Sequence, residues 1–289
     1  MRLTLIFNPA AGRGRALRHI REAVAELTRL GGDVETHASA SPDDMTRAAA
    51  EASRDPKTER VVVCGGDGTL HLAVREFDLS RGTLALLPLG SGDDFARVCG
   101  IPRNLRSACE LVIRGTPRQV DVATANGRRY LGVAGFGFDS EVAAFAQDVR
   151  FLRGSAVYLY AILRVLPRFK PHHVLIDGTR EEQIMFAAVG NSRQYGGGIR
   201  IVPDAKIDDG LLDLCLVLRS SRLQLLKTLP RAYAGTHVKT PFVETGRAPS
   251  FEFSSERPMA VYADGERLTE TPVKFGLASK KLKIVAPPA

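Results

Sequence analysis

Cysteine is scarce in this chain and follows no pattern that would give it a task. The four residues, Cys64, Cys99, Cys109 and Cys215, show no Cys-x-x-Cys spacing and no regular framework. That argues against a disulfide-stapled scaffold and a cysteine zinc site, and predicts reduced, mostly buried thiols in a cytosolic protein. Long hydrophobic runs are also missing. No window approaches the ~20 apolar residues of a membrane span. The nearest, Ser155 to Leu166, is shorter and carries Arg164. Met1-Arg2 is followed only by Leu3 to Phe7 before Asn8-Pro9 interrupts, too short for the apolar core of a secretion signal. The expectation is a cytoplasmic protein, soluble or peripheral on the inner face of the membrane. Histidine pairs are missing too, except the adjacent His172-His173, whose side chains would point to opposite faces of a strand. Neither a Ser/His/Asp nucleophile nor a histidine metal site can be assembled. Repeats and low-complexity tracts are absent.

What is present is ordinary in bulk and basic in balance. The chain has 289 residues, 44% hydrophobic and 25% charged, enough for one large domain or two ordinary ones with a core that needs no staples. The net charge of +8 favours acidic partners such as nucleotides, nucleic acid or an anionic membrane, and does not choose among them. With no zinc spacing and no RNA-binding aromatic signature, no nucleic-acid partner is expected.

In order along the chain, Arg2 to Phe7 reads as a buried strand, and Asn8-Pro9 through Gly14 as a basic loop. Ala16 to Leu30 has helical spacing and ends at Gly31-Gly32. Asp33 to Ala38 is a weak strand, and Ser41-Pro42-Asp43-Asp44 starts a helix to about Arg54. Strands at Arg60 to Cys64 and Thr83 to Leu89 alternate with helices at Thr69 to Phe77 and Leu105 to Arg114, and the second glycine turn, Gly90 to Asp94, leads into Phe95 to Val98. Such alternation predicts a parallel α/β sheet with ligands at the carboxyl ends of its strands. After Gly115 the texture becomes β-rich. Hairpins are expected at Gln119–Ala125 with Arg129–Ala134 and at His173–Ile176 with Ile184–Val189, then strands at Leu211–Leu218, Phe251–Phe253, Met259–Ala263, Val273–Phe275 and Leu282–Val285. Ser140 to Phe151, Ser155 to Leu166 and Leu223 to Ala234 look helical, the last interrupted by Pro230. The domains are set at 1–118 and 119–289, with the last strands free to return to the first domain.

Three glycine loops carry the chemistry. Gly65-Gly66-Asp67-Gly68-Thr69-Leu70 runs from a strand into a helix start. A backbone without side chains lets N–H groups approach a phosphate, and a helix N-terminus adds a favourable dipole. Asp67 would repel a bare phosphate, so it points to Mg²⁺ between them. Asn8-Pro9 through Gly14 and Gly90-Ser91-Gly92-Asp93-Asp94 are weaker signals and, taken singly, read as a loop and a capping turn. Lys206-Ile-Asp208-Asp209-Gly210-Leu211 and Asp264-Gly265-Glu266 would pass as acidic hairpin turns.

Together these stretches resemble the catalytic domain of diacylglycerol-kinase-type lipid kinases. The match continues through Pro88-Leu89 to Arg97, Gly135-Phe136-Gly137-Phe138-Asp139, Gly190-Asn191, Gly196-Gly197-Gly198 and Pro203-Asp204-Ala205-Lys206, in order over nearly the whole chain. The resemblance implies a phosphofructokinase- or NAD-kinase-like parallel α/β domain followed by a β-sandwich with a helical insert, and ATP in the cleft between them. It places nucleotide contacts at Asn8, Ser39, Gly65, Gly66, Asp67, Gly68, Thr69, Leu70 and Ser91. It assigns Mg²⁺ to the carboxylate of Asp209 and the carbonyls of Lys206 and Leu211, with Asp264 assisting metal binding. Glu266 becomes the proton acceptor for the lipid hydroxyl, with Asp67 as the second catalytic carboxylate. Asp93 departs from the family's usual Asn, removing an amide donor and adding charge beside the phosphate loop.

The leading expectation is an ATP- and Mg²⁺-dependent kinase of diacylglycerol or a related lipid at a membrane surface. Arg150, Arg153, Arg164, Arg168 and Lys170 around Ser155–Leu166 read either as a solvated face or as a basic docking surface for it. An NAD-kinase-like nucleotide kinase and a catalytically silent nucleotide- or lipid-binding protein stay open, as does a homodimer.

Overall fold

The computed structural model describes residues 1–9, 15–149 and 155–288. Ala10 to Gly14 of the first loop, and Arg150 and Arg153, lie outside the described residues. The chain forms two compact units, Met1–Val122 with Ser279–Ala289, and Ala123–Ala278.

The first unit runs β1 (Arg2–Phe7), α1 (Arg15–Arg29), β2 (Asp33–Ala38), α2 (Pro42–Arg54), β3 (Arg60–Gly65), α3 (Asp67–Val74), β4 (Thr83–Pro88), α4 (Asp94–Val98), α5 (Leu105–Arg114) and β5 (Pro117–Val120). Local chemistry sets the helix ends. Ser41 caps α2 by accepting from the Asp44 N–H at 3.1 Å, and Asn104 caps α5 by accepting from Ser107. The central strands β3 and β4 are apolar and buried, as strands covered on both faces must be. Leu3, Leu5, Val62, Ala85 and Leu87 form the face packed against Leu27 of α1 and Val112 of α5.

The second unit begins with β6 (Ala123–Ala125), β7 (Arg128–Tyr130), β8 (Val133–Gly137), α6 (Phe138–Asp148), α7 (Ser155–Val165), β9 (His172–Ile176) and β10 (Arg180–Gly190). It continues through β11 (Leu212–Leu218), α8 (Arg222–Ala234), β12 (Val243–Ala248), β13 (Phe251–Ser255), β14 (Ala260–Ala263), β15 (Glu266–Glu270) and β16 (Val273–Leu277). The last strand, β17 (Leu282–Val285), pairs parallel to β4 and antiparallel to β5, which gives the first sheet the order β2-β1-β3-β4-β17-β5.

In the second unit β10 belongs to two layers. Phe186 to Gly190 lie between β8 and β11, while Arg180 to Ile184 pair with β9, and the register shifts between Ile184 and Phe186. One layer is therefore β15-β14-β8-β10-β11-β12 and the other β9-β13-β16-β6-β7. The period of two then sorts the core. Ile184, Ala187 and Val189 of β10, with Leu212, Leu214 and Leu216 of β11, face the interior shared with β13 and β16. There Phe136 meets Phe253 edge-on with ring centres 5.0 Å apart. The alternate residues Met185, Ala188, Cys215 and Val217 pack instead with Phe138, Ala161 and Leu225 of the three helices. All four cysteines are buried, and none is in a disulfide.

Several expected elements shift. The run Gln119–Ala125 is split between β5, in the first sheet, and β6, in the second. Asp121, at the break, pairs with Lys281 at 2.9 Å, so both crossings of the chain are tied together inside the first unit. Arg129–Ala134 is likewise two strands, β7 and β8, because Leu131 and Gly132 leave the ladder to bind Asp264. Pro230 does not interrupt α8. It is exposed, so the carbonyl left without its N–H can be hydrated rather than buried.

Candidate active site

In the first unit, parallel strands in the order β2-β1-β3-β4 send their carboxyl ends to one edge of the sheet. Asn8 follows β1, Ser39 follows β2, Gly65 ends β3, and Ser91 lies in the loop after β4. All the expected nucleotide residues thus collect on that edge. Connections leave in opposite directions on either side of the β1–β3 pair, the place where open α/β sheets form a ligand crevice.

The two glycine loops are in backbone contact. A Cβ on Gly90 would stand 2.5 Å from the Gly66 Cα and 2.5 Å from Asp93 Oδ1. A Cβ on Gly65 would stand 2.5 Å from the Thr69 hydroxyl. Packing alone therefore requires glycine at 65 and 90. It does not at Gly68, in the first turn of α3, where a Cβ would meet nothing within 4 Å. The space over Gly68 is open beside the N-terminal amides of a helix, which fits a phosphate.

Asp67 joins the loops. Its Oδ2 accepts the Asp94 N–H and its Oδ1 the Phe95 N–H, each at 3.1 Å, so it serves the amino end of α4 from α3. A carboxylate held at the junction of the two loops is the ligand type that a hard cation or its water shell takes. Asp93 does not add a loose charge to the phosphate loop. It takes a left-handed backbone at φ 52°, buries its carboxylate, accepts the Gly90 N–H at 2.9 Å and lies 3.4 Å from Arg103. Burial pushes its pKa up, opposed by the Gly90 hydrogen bond and the charge of Arg103. Arg103 also donates to the Gly90 carbonyl at 3.1 Å. Sequence reasoning missed this arginine because nothing in its local pattern marks a partner thirteen positions back. Ser39 is buried and gives its hydroxyl to the Phe7 carbonyl at 3.2 Å, whereas Ser91 is exposed. Ser39 therefore reads as a brace between the ends of β1 and β2.

In the second unit, Asp264 and Gly265 form the turn between β14 and β15, both at positive φ. The Asp264 carboxylate accepts the Leu131 and Gly132 N–H groups at 3.1 and 3.0 Å. The Gly132 carbonyl in turn accepts from Asn191 and Ser192 at 3.0 and 3.1 Å, and the Asn191 amide reaches the Leu131 carbonyl. The ends of β7, β10 and β14 are thereby fixed around one turn, and Glu266, the next residue, is held on it with its side chain exposed.

The turn before β11 gathers carboxylates. Asp209 Oδ1 accepts the Leu211 N–H at 3.1 Å and its Oδ2 pairs with Arg247, which also lies 3.2 Å from Asp213. Asp213 is pushed up mainly by burial, with Asp209 and Asp204 adding to the rise, and its Oδ2 is buried without a hydrogen-bond partner. An orphaned carboxylate oxygen in the company of Asp209 and Asp204 is a group that a hard divalent cation satisfies. Behind the sheet, Tyr195 donates to Asp139 at 2.7 Å, and burial raises that carboxyl to about 6.

Comparison with known proteins decides the family. A model of the diacylglycerol kinase catalytic domain matches residues 2–125, and one of the YegS C-terminal NAD-kinase β-sandwich-like domain matches residues 132–286. A Mycobacterium tuberculosis diacylglycerol kinase is 32% identical, the match covering 99% of this chain and 95% of that one. The chain belongs to the diacylglycerol kinase family. A probable lipid kinase, YegS-like, from Chromohalobacter salexigens is also 32% identical, over 96% of this chain and 91% of its own length. A crystal structure from Bacillus anthracis, provisionally assigned as a diacylglycerol kinase, superposes with a TM-score of 0.78 at 28% identity, covering 99% of this chain and 97% of the other. The family's two-part architecture, a parallel α/β domain and a β-sandwich, is the one described above. Among the described residues no helix is long and apolar enough to cross a membrane.

Proposed function

We propose that this family member is an ATP-dependent lipid kinase whose acceptor is the hydroxyl of diacylglycerol or a related lipid, met at a membrane surface. The observation that carries the reading is the pair of touching glycine loops at the carboxyl edge of the first sheet, with open space over Gly68 and Asp67 tying the loops together.

In this reading Asn8, Gly65 to Leu70 and Ser91 hold the nucleotide, the phosphates lying against the amides that begin α3. Asp67 would hold Mg²⁺, directly or through water, and that ion supplies neutralisation of phosphate charge. Asp209, with the carbonyls of Lys206 and Leu211, would hold a second Mg²⁺ that fixes the turn before β11. Glu266 takes the proton from the lipid hydroxyl as its oxygen bonds to the γ-phosphorus, and ADP leaves with the electrons of the broken P–O bond. Phosphoryl transfer asks chiefly for alignment and charge balance, so one positioned carboxylate is sufficient base. Ser39 is left out of the contact set, its hydroxyl being engaged with Phe7.

The test incubates purified protein with Mg²⁺, γ-labelled ATP and a total lipid extract, read by mass spectrometry of the lipid fraction. A phosphorylated glycerolipid supports the proposal. Label transferred to NAD but to no lipid would favour the nucleotide-kinase reading. Nucleotide bound without product from any acceptor would leave a binding protein.

A further inference from the structure

Helix α8 presents an apolar face that nothing among the described residues covers. Leu225, Thr228 and Ala232 form its buried face. On nearly the opposite face Leu223 is 60% exposed, Leu226 36% and Tyr233 44%, with Pro230 exposed between them. At 100° per residue these four fall within an arc of about 80°. Arg222 flanks the stripe on one side, Lys227 and Arg231 on the other. The helix, Arg-Leu-Gln-Leu-Leu-Lys-Thr-Leu-Pro-Arg-Ala-Tyr-Ala, contains no acidic residue. It is also firmly formed. Ser221 and Gln224 make a capping box at its start, Gly235 ends it in a left-handed cap, and Arg222 donates to the Phe169 carbonyl at 3.4 Å.

We propose that the exposed face of α8 docks on an anionic lipid bilayer, with Leu223, Leu226 and Tyr233 entering the headgroup–acyl boundary and Arg222, Lys227 and Arg231 meeting lipid phosphates. Charge complementarity selects this occupant. A second copy of the chain laid helix to helix would oppose like charges along both flanks. A bilayer with anionic headgroups accepts an apolar stripe and its basic margins together. The surface deepens the lipid-kinase reading and rests on it for its purpose, since it would hold the enzyme where its acceptor lies. It is separate from the basic residues Arg164, Arg168 and Lys170 around α7, which serve as the comparison.

The experiment measures partitioning of the full protein onto vesicles of phosphatidylcholine with or without phosphatidylglycerol, for wild type, Leu223→Ser/Leu226→Ser, Lys227→Glu/Arg231→Glu and Arg164→Glu/Arg168→Glu. Wild type is expected to bind the anionic vesicles and to lose binding with added salt. Each basic residue at an anionic surface contributes roughly fivefold, so the α8 charge reversal should cost at least about 25-fold. The double serine variant should lose at least about tenfold on the same vesicles. Unchanged binding by both α8 variants, or no preference of wild type for the anionic vesicles, overturns the proposal. Loss confined to the α7 variant overturns it as well. Phosphorylation of a short-chain diacylglycerol in detergent micelles is measured in parallel. The α8 variants should keep wild-type rates there. If wild type binds vesicles through α8 yet phosphorylates no micellar lipid, the kinase reading fails and the docking surface stands.

Discussion

Replacing Asp139 with Asn should make the protein more stable at neutral pH, and the gain should appear only as the pH rises through the weakly acidic range. Asp139 opens α6, its carboxyl accepting the Tyr195 hydroxyl at 2.7 Å, with Gly135 leaving room for its other oxygen. Burial lifts its pKa from 3.8 to about 6, against the opposing Tyr195 hydrogen bond. A raised carboxyl pKa means that the folded state holds the proton more tightly than the unfolded chain. Below about pH 4 both states are protonated and there is no penalty. Above about pH 6 both are ionised, and the folded state bears the full burial cost. A shift of this size corresponds to about 3 kcal/mol. The residue keeps some solvent access, which makes that figure a ceiling, and about 1–3 kcal/mol is expected. The Asn amide oxygen can still accept from Tyr195, so the variant removes the ionisation and little else. Thermal unfolding of both proteins across pH 4 to 8 should show melting points that separate by on the order of 5 °C between about pH 4 and 6 and then run parallel. A difference that is the same at every pH would refute the argument that ionisation against burial is what Asp139 costs the fold.

Other expectations follow from the same geometry. Gly68→Ala should bind nucleotide poorly yet stabilise α3 by about 0.5–1 kcal/mol, since its Cβ meets only open space and helix propensity improves; calorimetry with an ATP analogue and thermal unfolding separate the two effects. Gly90→Ala should instead lower stability by about 1–3 kcal/mol, because Gly66 and Asp93 occupy the space, and chemical denaturation measures it. Phe253→Ala should cost about 3–5 kcal/mol by opening the aromatic contact with Phe136 and Phe275, read as a lower urea midpoint.

Much of this was legible in the residues and some was not, for reasons of distance along the chain. Strand–helix alternation fixed the first unit because apolar runs punctuated by glycine and capping residues are local signals. Asn8, Gly65 to Thr69 and Ser91 fell at strand ends for the same reason. What Asp67 and Asp264 bind could not be read, since their partners are backbone amides 27 and about 132 positions away. A backbone amide has no sequence signature. Asp93 looked like an added charge at a phosphate loop, yet a left-handed backbone turns its carboxylate inward toward Arg103. The split of Gln119–Ala125 was hidden because a continuous β-like run carries no mark of which sheet each half joins. The strand Val243–Ala248, missed altogether, is a half-exposed edge strand with Gly246 and Arg247 in its middle, so its apolar alternation is weak.

The most direct test of the central claim is a head-to-head assay of phosphate transfer by wild type and Glu266→Gln. Each is given labelled ATP, Mg²⁺ and either diacylglycerol in mixed micelles or NAD. The account predicts label in the lipid with wild type and none in NAD. With Glu266→Gln, kcat should fall about 10²–10⁴-fold while nucleotide affinity and melting temperature hold, since the residue is exposed and only its basicity is removed. Wild-type rates from Glu266→Gln, or label in NAD alone, would contradict it.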